Sequence, residues 1–287
     1  MEDINRRIER LEESVIRLIP KPSLNFSYHL TDGCNLNCRG CWHFAPLAGR
    51  EMPNVEDFEN DIKRLAEVMN EEICLISLFG GEPLLNPEAY KYPYIIRKHL
   101  PDTKIELLTN GTLIPNQGIE FWNSMKKNDV VIEWTRYPIG EEKNQYIEEV
   151  LKGEDVEYRV FNAFEKEKTL SQIVIDVNAI GNNGQKGRND ARWQWIHCFR
   201  AGDCIQLKNH KLYPCTTAAN AHLLKEYFGL DIRLSHFDGI DIYKADSRKE
   251  ILEFLSKPIP FCRYCRVERE SFGHNWERSN KDLAEWT

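Results

Sequence analysis

The sequence predicts an α/β fold built on a parallel β-sheet, and three observations predict it. Apolar segments of strand length alternate with segments of helical period through about the first half of the chain, and such βαβα order implies parallel strands joined by right-handed crossovers. Three closely spaced cysteines, Cys34, Cys38 and Cys41, directly follow the first of these strands. Further segments rich in glycine and hydroxyl residues also fall at the C-terminal ends of strands, where barrel enzymes build their sites.

Taken in order, Ile4, Ile8, Leu11, Val15 and Leu18 recur at helical spacing before Pro20, which gives an N-terminal helix over residues 1–22. Packing on the barrel exterior is favoured over a dimeric coil, because two heptads are too few. Leu24, Phe26, Tyr28 and Leu30 alternate as a first strand. Asn54 is a good N-cap for a helix burying Phe58, Ile62, Leu65 and Met69. The apolar run from Ile73 to Phe79 reads as a strand covered on both faces, with Cys74 a core thiol inside it. Asn86-Pro87 reads as the start of a helix. A third strand spans Ile105 to Leu108, a helix Ile119 to Met125 and a fourth strand Val130 to Trp134. Tyr146, Ile147, Val150 and Leu151 mark another helix, and Val156 to Phe161 a fifth strand. Ile173 to Val177 is the candidate sixth strand, and Asn178 to Asp190, rich in Asn and Gly, reads as an exposed loop. Gly181-Asn-Asn-Gly184 lacks the Gly-Lys-Ser/Thr ending of a phosphate-binding loop.

Cys34-Asn-Leu-Asn-Cys38-Arg-Gly-Cys41 is a Cys-x3-Cys-x2-Cys run. Three thiolates on one tight loop suit three irons of a cubane cluster and leave the fourth iron free to bind a small molecule. An electron carrier needs no open position and supplies four cysteines, whereas an incomplete protein shell marks a catalytic metal site.

This spacing resembles that of the radical S-adenosylmethionine (radical SAM) superfamily. Gly80-Gly81-Glu82-Pro83 is similar to the family's motif for the methionine end of SAM, and Thr109-Asn110-Gly111 to its third-strand motif. Thr135-Arg136-Tyr137-Pro138 is similar to its fourth-strand segment, where a hydroxyl contacts the ribose. The motifs keep the family's order over about half of the chain. The resemblance implies a partial (β/α)6 barrel over residues 23–195, with a 4Fe–4S cluster on Cys34, Cys38 and Cys41. It implies SAM contacts from Gly80, Gly81, Glu82, Pro83, Thr109, Asn110, Gly111 and Thr135, with Glu82 holding the SAM amino group, and an electron donor such as flavodoxin or ferredoxin. One departure is plain: the family places an aromatic residue just before the third cysteine, and here that residue is Gly40. Trp42, His43 or Phe44 then takes over the adenine contact or packs under the loop.

Five more cysteines fall late: Cys198, Cys204, Cys215, Cys262 and Cys265. Ile205-Gln-Leu-Lys and Lys211-Leu-Tyr213 flank Asn209-His210 as a tight hairpin bracketed by Cys198 and Cys215, and a helical stretch from Ile251 to Leu255 leads to Cys262-Arg-Tyr-Cys265. The layout resembles the Twitch domain, a shortened form of the SPASM extension found on many radical SAM enzymes. It implies a second, fully ligated 4Fe–4S cluster over residues 196–272, followed by a tail over 273–287. Counting back from the turn, Cys204 lies opposite Cys215, so Cys204 or Cys198 completes the set. Taken alone, these cysteines also suit a zinc ribbon; beside the first site, iron–sulfur is preferred.

At 287 residues the chain is long enough for a large core. A net charge of −7 argues against a nucleic-acid partner. There is no membrane-spanning apolar run and no signal-peptide pattern, so the expected location is the cytoplasm, where nine cysteines read as metal ligands before disulfides. The expected function is a radical SAM oxidoreductase acting on a small polar substrate such as a sugar, aminocyclitol or nucleotide-linked sugar. Glu133, Arg136 and Tyr137 point from the fourth strand toward the substrate mouth. The alternatives are a peptide maturase of the kind that modifies ribosomal peptides, and a non-catalytic iron–sulfur or zinc module. About 22 residues precede the first strand, too few for a leader-binding domain. No glycine-rich C-terminal tail matches the family member that rearranges GTP.

Overall fold

Strands and helices alternate in the expected order in a computed structural model of the chain, which describes residues 22–162, 174–176, 190–269 and 275–287. Strands β1 (Asn25–Thr31), β2 (Leu75–Gly80), β3 (Lys104–Thr109), β4 (Val130–Arg136) and β5 (Tyr158–Asn162) are parallel neighbours in the order β5-β4-β3-β2-β1. Helices α1 (Val55–Met69), α2 (Lys91–His99), α3 (Ile119–Lys127) and α4 (Glu141–Gly153) form the crossovers. Asn54 caps α1 as expected, its side chain accepting from Glu56 N at 2.8 Å. Phe58, Ile62, Leu65 and Met69 are fully buried on the face of α1 that meets the sheet, each contributing about 1.5–3 kcal/mol. The expected N-terminal helix and the Asn178–Asp190 loop lie outside the described residues, apart from Pro22 and Asp190.

Three local expectations are corrected. Asn86-Pro87 opens a turn, and α2 begins only at Lys91. The Asn86 side chain is committed elsewhere, donating to Leu30 O at 2.9 Å and accepting from Glu88 N at 2.9 Å. Cys74 is exposed, because it precedes β2 and only Ile73 beside it turns inward. Ile175, in the described part of the candidate sixth strand, bridges antiparallel to Cys265 and pairs with no barrel strand.

The late hairpin is β6 (Ile205–Lys208) and β7 (Lys211–Tyr213), turning through Asn209 at φ 48° and His210 at φ 65°. Two successive positive φ values make a type I′ turn, whose twist matches the flanking strands. A short strand β8 (Ile240–Asp241) pairs with β7. The hairpin does not stand apart: β6 runs parallel to β1, with Phe26 opposite Ile205, so the hairpin belongs to the same eight-stranded sheet as the first five strands. Two helices escaped sequence reading, α5 (Ala191–His197) and α6 (Thr216–Phe228). Their end signals are present, with Asp190 capping Trp193 N and Gly229 closing α6 at φ 62°. Helix α7 (Arg248–Leu255) is the expected stretch before Cys262.

A large core lies between the sheet and its helices. A second, smaller core gathers Phe44, Leu47, Ile175, Leu224, Phe261, Tyr264 and Trp286 beneath the cysteine loop. Trp286 places the C-terminal segment inside the fold.

Candidate active site

The tips of β2 to β4 and the loop after β1 enclose one cavity of about 230 Å³. Cys34, Cys38 and Cys41 line it together with Gly80, Gly81, Thr109, Asn110, Thr135 and Tyr137. The four sequence motifs thus converge on one space.

Close backbone approach is what the glycine pair provides. Gly80 sits at φ 144°, and a Cβ on it would lie 2.1 Å from Thr31 O; a Cβ on Gly81 would lie 2.1 Å from Gly33 O. The end of β2 can therefore press against the start of the cysteine loop only without side chains. Asn110 locks the third strand to the same loop, its Nδ2 donating to Asn35 Oδ1 at 2.8 Å.

Glu82, Pro83 and Gly111 are not among the described residues that line the cavity. Glu82 is fully buried behind the wall. Its carboxylate accepts from Thr109 Oγ1 at 2.6 Å, Asn110 N at 2.8 Å and Leu84 N at 3.1 Å. The Glu82 side chain therefore ties the β2 tip to the β3 tip. Pro83 opens the short turn that follows, and Gly111, at φ 80°, leaves room for the Trp134 indole.

Burial pushes the Glu82 carboxyl up to about 7, against the pull of those three hydrogen bonds. A carboxyl with a folded pKa above its unfolded value favours the fold in its protonated form. That contribution is complete below about 4.5 and is lost as pH rises through about 7, roughly 3 kcal/mol in all. The melting temperature of the native chain is therefore expected to fall, relative to Glu82→Gln, between pH 5 and pH 8. Parallel melting curves for the two proteins across that range would remove this role.

The thiols are costly to ionise alone. Burial pushes Cys34 up to about 11 and Cys38 up to about 12, and raises Cys41 as well. Backbone N–H groups of Leu36 and Asn37 pull the other way at Cys34, and those of Ala45, His43 and Phe44 at Cys41. Buried thiols already facing N–H donors suit a bound cationic centre that completes their ionisation. The residues present therefore fit a cluster on this loop.

Of the aromatic candidates, Trp42 and His43 line the cavity, whereas Phe44 is buried in the second core against Trp286. His43 also enters a buried polar network that sequence reading missed. Its Nδ1 lies 2.9 Å from His29 Nε2, and His29 Nδ1 lies 2.7 Å from Asp32 Oδ1. Lys208 of β6 donates to Asp32 Oδ2 at 2.6 Å, binding the hairpin to the cavity wall. Arg136 is turned away from the mouth and pairs with Glu141 at 2.7 and 2.9 Å. Glu133 shares a face with Thr135 and neighbours Arg159 of β5; burial and the nearby Glu106 raise its carboxyl.

Cys198, Cys215 and Cys265 line a second cleft of about 30 Å³ with Arg200 and Thr217. Cys262 lies one tight turn from Cys265. After burial, the groups that most raise the Cys265 thiol are Cys262, Cys215 and Cys198. For Cys204, raised to about 11, the first neighbour is Asp203 instead. Cys204 is not among the described residues that line this cleft, and neither is any carboxylate or imidazole. That thiol donor set fits a fully ligated sulfur-bound centre. Among the described residues, no three Cys, His, Asp or Glu side chains converge on a single-ion site; cubane thiolates bind separate irons and need no such convergence.

No helix among the described residues is long and apolar enough to cross a membrane. Comparison with known proteins gives a match of residues 28–138 to the radical SAM superfamily model. The chain is 25% identical over 129 residues to a GTP 3′,8-cyclase of Sulfurovum sp. (strain NBC37-1), covering 44% of this chain and 40% of that protein. It is 23% identical over 246 residues to a GTP 3′,8-cyclase of Clostridium botulinum (strain Okra / Type B1), covering 82% of this chain and 73% of that protein. Among solved structures, the crystal structure of BtrN in complex with AdoMet and 2-DOIA aligns at TM-score 0.52 and 14% identity, over 86% of this chain and 94% of that one. The Sulfurovum match spans less than half of that relative's length, and the BtrN likeness is one of fold.

Proposed function

This chain belongs to the radical SAM superfamily through residues 28–138, and on that premise we propose that it reductively cleaves S-adenosylmethionine and abstracts a hydrogen atom from a small polar substrate. A second 4Fe–4S cluster, on four of the late cysteines, serves as its electron route. The observation that carries this reading is the single cavity shared by Cys34, Cys38, Cys41, Gly80, Gly81, Thr109, Asn110 and Thr135.

Cys34, Cys38 and Cys41 would hold the cluster, which with SAM bound would supply one-electron chemistry for hydrogen-atom abstraction. The chain's own side chains do the remaining work. Gly80 and Gly81 give backbone access to the methionine end of SAM, and Thr135 offers a hydroxyl to the ribose. Trp42 and His43 flank the site and exclude water, which protects a reactive radical from side reactions. The substrate lies toward the sheet face bearing Glu106, Glu133 and Arg159, where Arg159 Nη1 is 3.1 Å from Glu106 Oε1. Such groups suit the hydroxyl and amino groups of a sugar or aminocyclitol. The relatives named GTP 3′,8-cyclase favour a second reading in which a purine nucleotide fills this space.

Anaerobic incubation of the iron-loaded chain with SAM and a strong reductant is expected to yield 5′-deoxyadenosine and methionine. Iron-loaded protein that yields neither would sink both readings. Added GTP that raises the yield and is consumed would select the nucleotide.

A further inference from the structure

The C-terminal residues fold back onto the cysteine loop. Arg39 N donates to Glu277 O at 2.9 Å, and Ser279 N donates to Asn37 O at 2.8 Å. Cys38 and Arg278 form an antiparallel bridge between them. Farther along, the Trp286 indole donates to Cys41 O at 3.0 Å. These contacts clamp the backbone of the loop at both ends of its Cys-x2-Cys segment.

Within this strap Trp276 turns its indole N–H onto the sulfur of Cys38, with Nε1 to Sγ at 3.0 Å. Its ring lies 6.0 Å from that of Tyr137. By contrast, Asn110 Nδ2 approaches Cys34 Sγ only to 3.8 Å. Cys38 is 9% exposed, so water does not readily replace a lost donor. An indole N–H is a donor only, with no alternative role at a sulfur.

The geometry points to Trp276 as a positioning residue that raises the reduction potential of the cluster on Cys34, Cys38 and Cys41. The inference rests on the cluster reading above. A hydrogen bond to a ligating thiolate stabilises negative charge on it, and the reduced cluster carries more of that charge than the oxidised one. Reduction therefore becomes easier while the donor is in place. Because the donor is held by the strap, the C-terminal segment and the first cysteine set act as one unit.

The test is a redox titration of the full chain, following the electron paramagnetic resonance signal that responds to added SAM. Trp276→Phe keeps a ring in the strap and removes the donor; it is expected to bind as much iron as the native chain and to titrate at a lower potential. Trp276→His, which retains a ring N–H, is expected to move back toward the native value. Glu277→Gln removes only the exposed pair between Arg39 and Glu277 and is expected to leave the potential unchanged. A measurement that needs no variant is electron–nuclear double resonance on native protein carrying indole-15N tryptophan, which is expected to show nitrogen coupling to the reduced cluster. An unchanged potential in Trp276→Phe at equal iron content, or no nitrogen coupling, overturns the role of Trp276 alone. A native chain that takes up no iron overturns the cluster reading and the role of Trp276 with it.

Discussion

Replacing Cys34, Cys38 and Cys41 together by alanine is expected to halve the iron bound after anaerobic reconstitution, from about eight to about four, and to abolish 5′-deoxyadenosine formation. The loss should be specific to the first site. The loop backbone stays clamped through Arg39 N to Glu277 O and Trp286 Nε1 to Cys41 O, and neither bond uses a cysteine sulfur. The three sulfurs removed are buried groups whose thiol form is favoured without metal, so alanine leaves small gaps and no unpaired charge. Circular dichroism is therefore expected to match that of the native chain. Iron falling from about four to none, with zinc in the remainder, would leave the radical core standing and remove the second electron route. Iron unchanged at about eight would mean that the loop holds no cluster, and the cavity would need another occupant.

How far the sequence reveals this site follows from how local each signal is. The alternation of Leu24, Phe26, Tyr28 and Leu30 and the helical face of Phe58, Ile62, Leu65 and Met69 are set by neighbours a few residues apart, and both elements form where expected. Motifs at strand ends were legible because parallel strands bring those ends together, as the shared cavity confirms. What escaped depends on distant partners. Trp276 reaches Cys38 across 238 residues, and no periodicity marks it. Glu82 reads as a ligand-binding acid in sequence, yet its partners Thr109 and Asn110 lie on the next strand and draw its carboxylate into the wall. The parallel pairing of β6 with β1 joins residues about 180 positions apart, so the hairpin was legible and its place in the sheet was not. Cys74 failed for a subtler reason. An apolar run marks a strand but not its first residue, and starting at Leu75 turns the thiol outward.

The two cysteine sets are joined by one stacked pair. Trp42 lines the first cavity, and the guanidinium of Arg200, which lines the second cleft, lies 3.6 Å from its ring centroid. Under the proposed function, this contact would lie between the first cavity and the late cysteines. On this reading Cys198→Ser, Cys215→Ser, Cys262→Ser and Cys265→Ser are each expected to lose about four irons. They should keep reductive SAM cleavage but lose most of the oxidised product. Cys204→Ser is expected to retain the full iron content and turnover, because Cys204 is neither among the residues lining the second cleft nor among the thiols that raise Cys265. The contrast between Cys198 and Cys204 decides which thiol completes the set, since both flank the hairpin and both lie near Arg200. Iron lost from Cys204→Ser and kept in Cys198→Ser would exchange their roles and place the cluster across the hairpin from Cys215. Equal product yield from all five variants would show that the late cysteines carry no electrons, and the substrate radical would then have to pass its electron out through the first cavity.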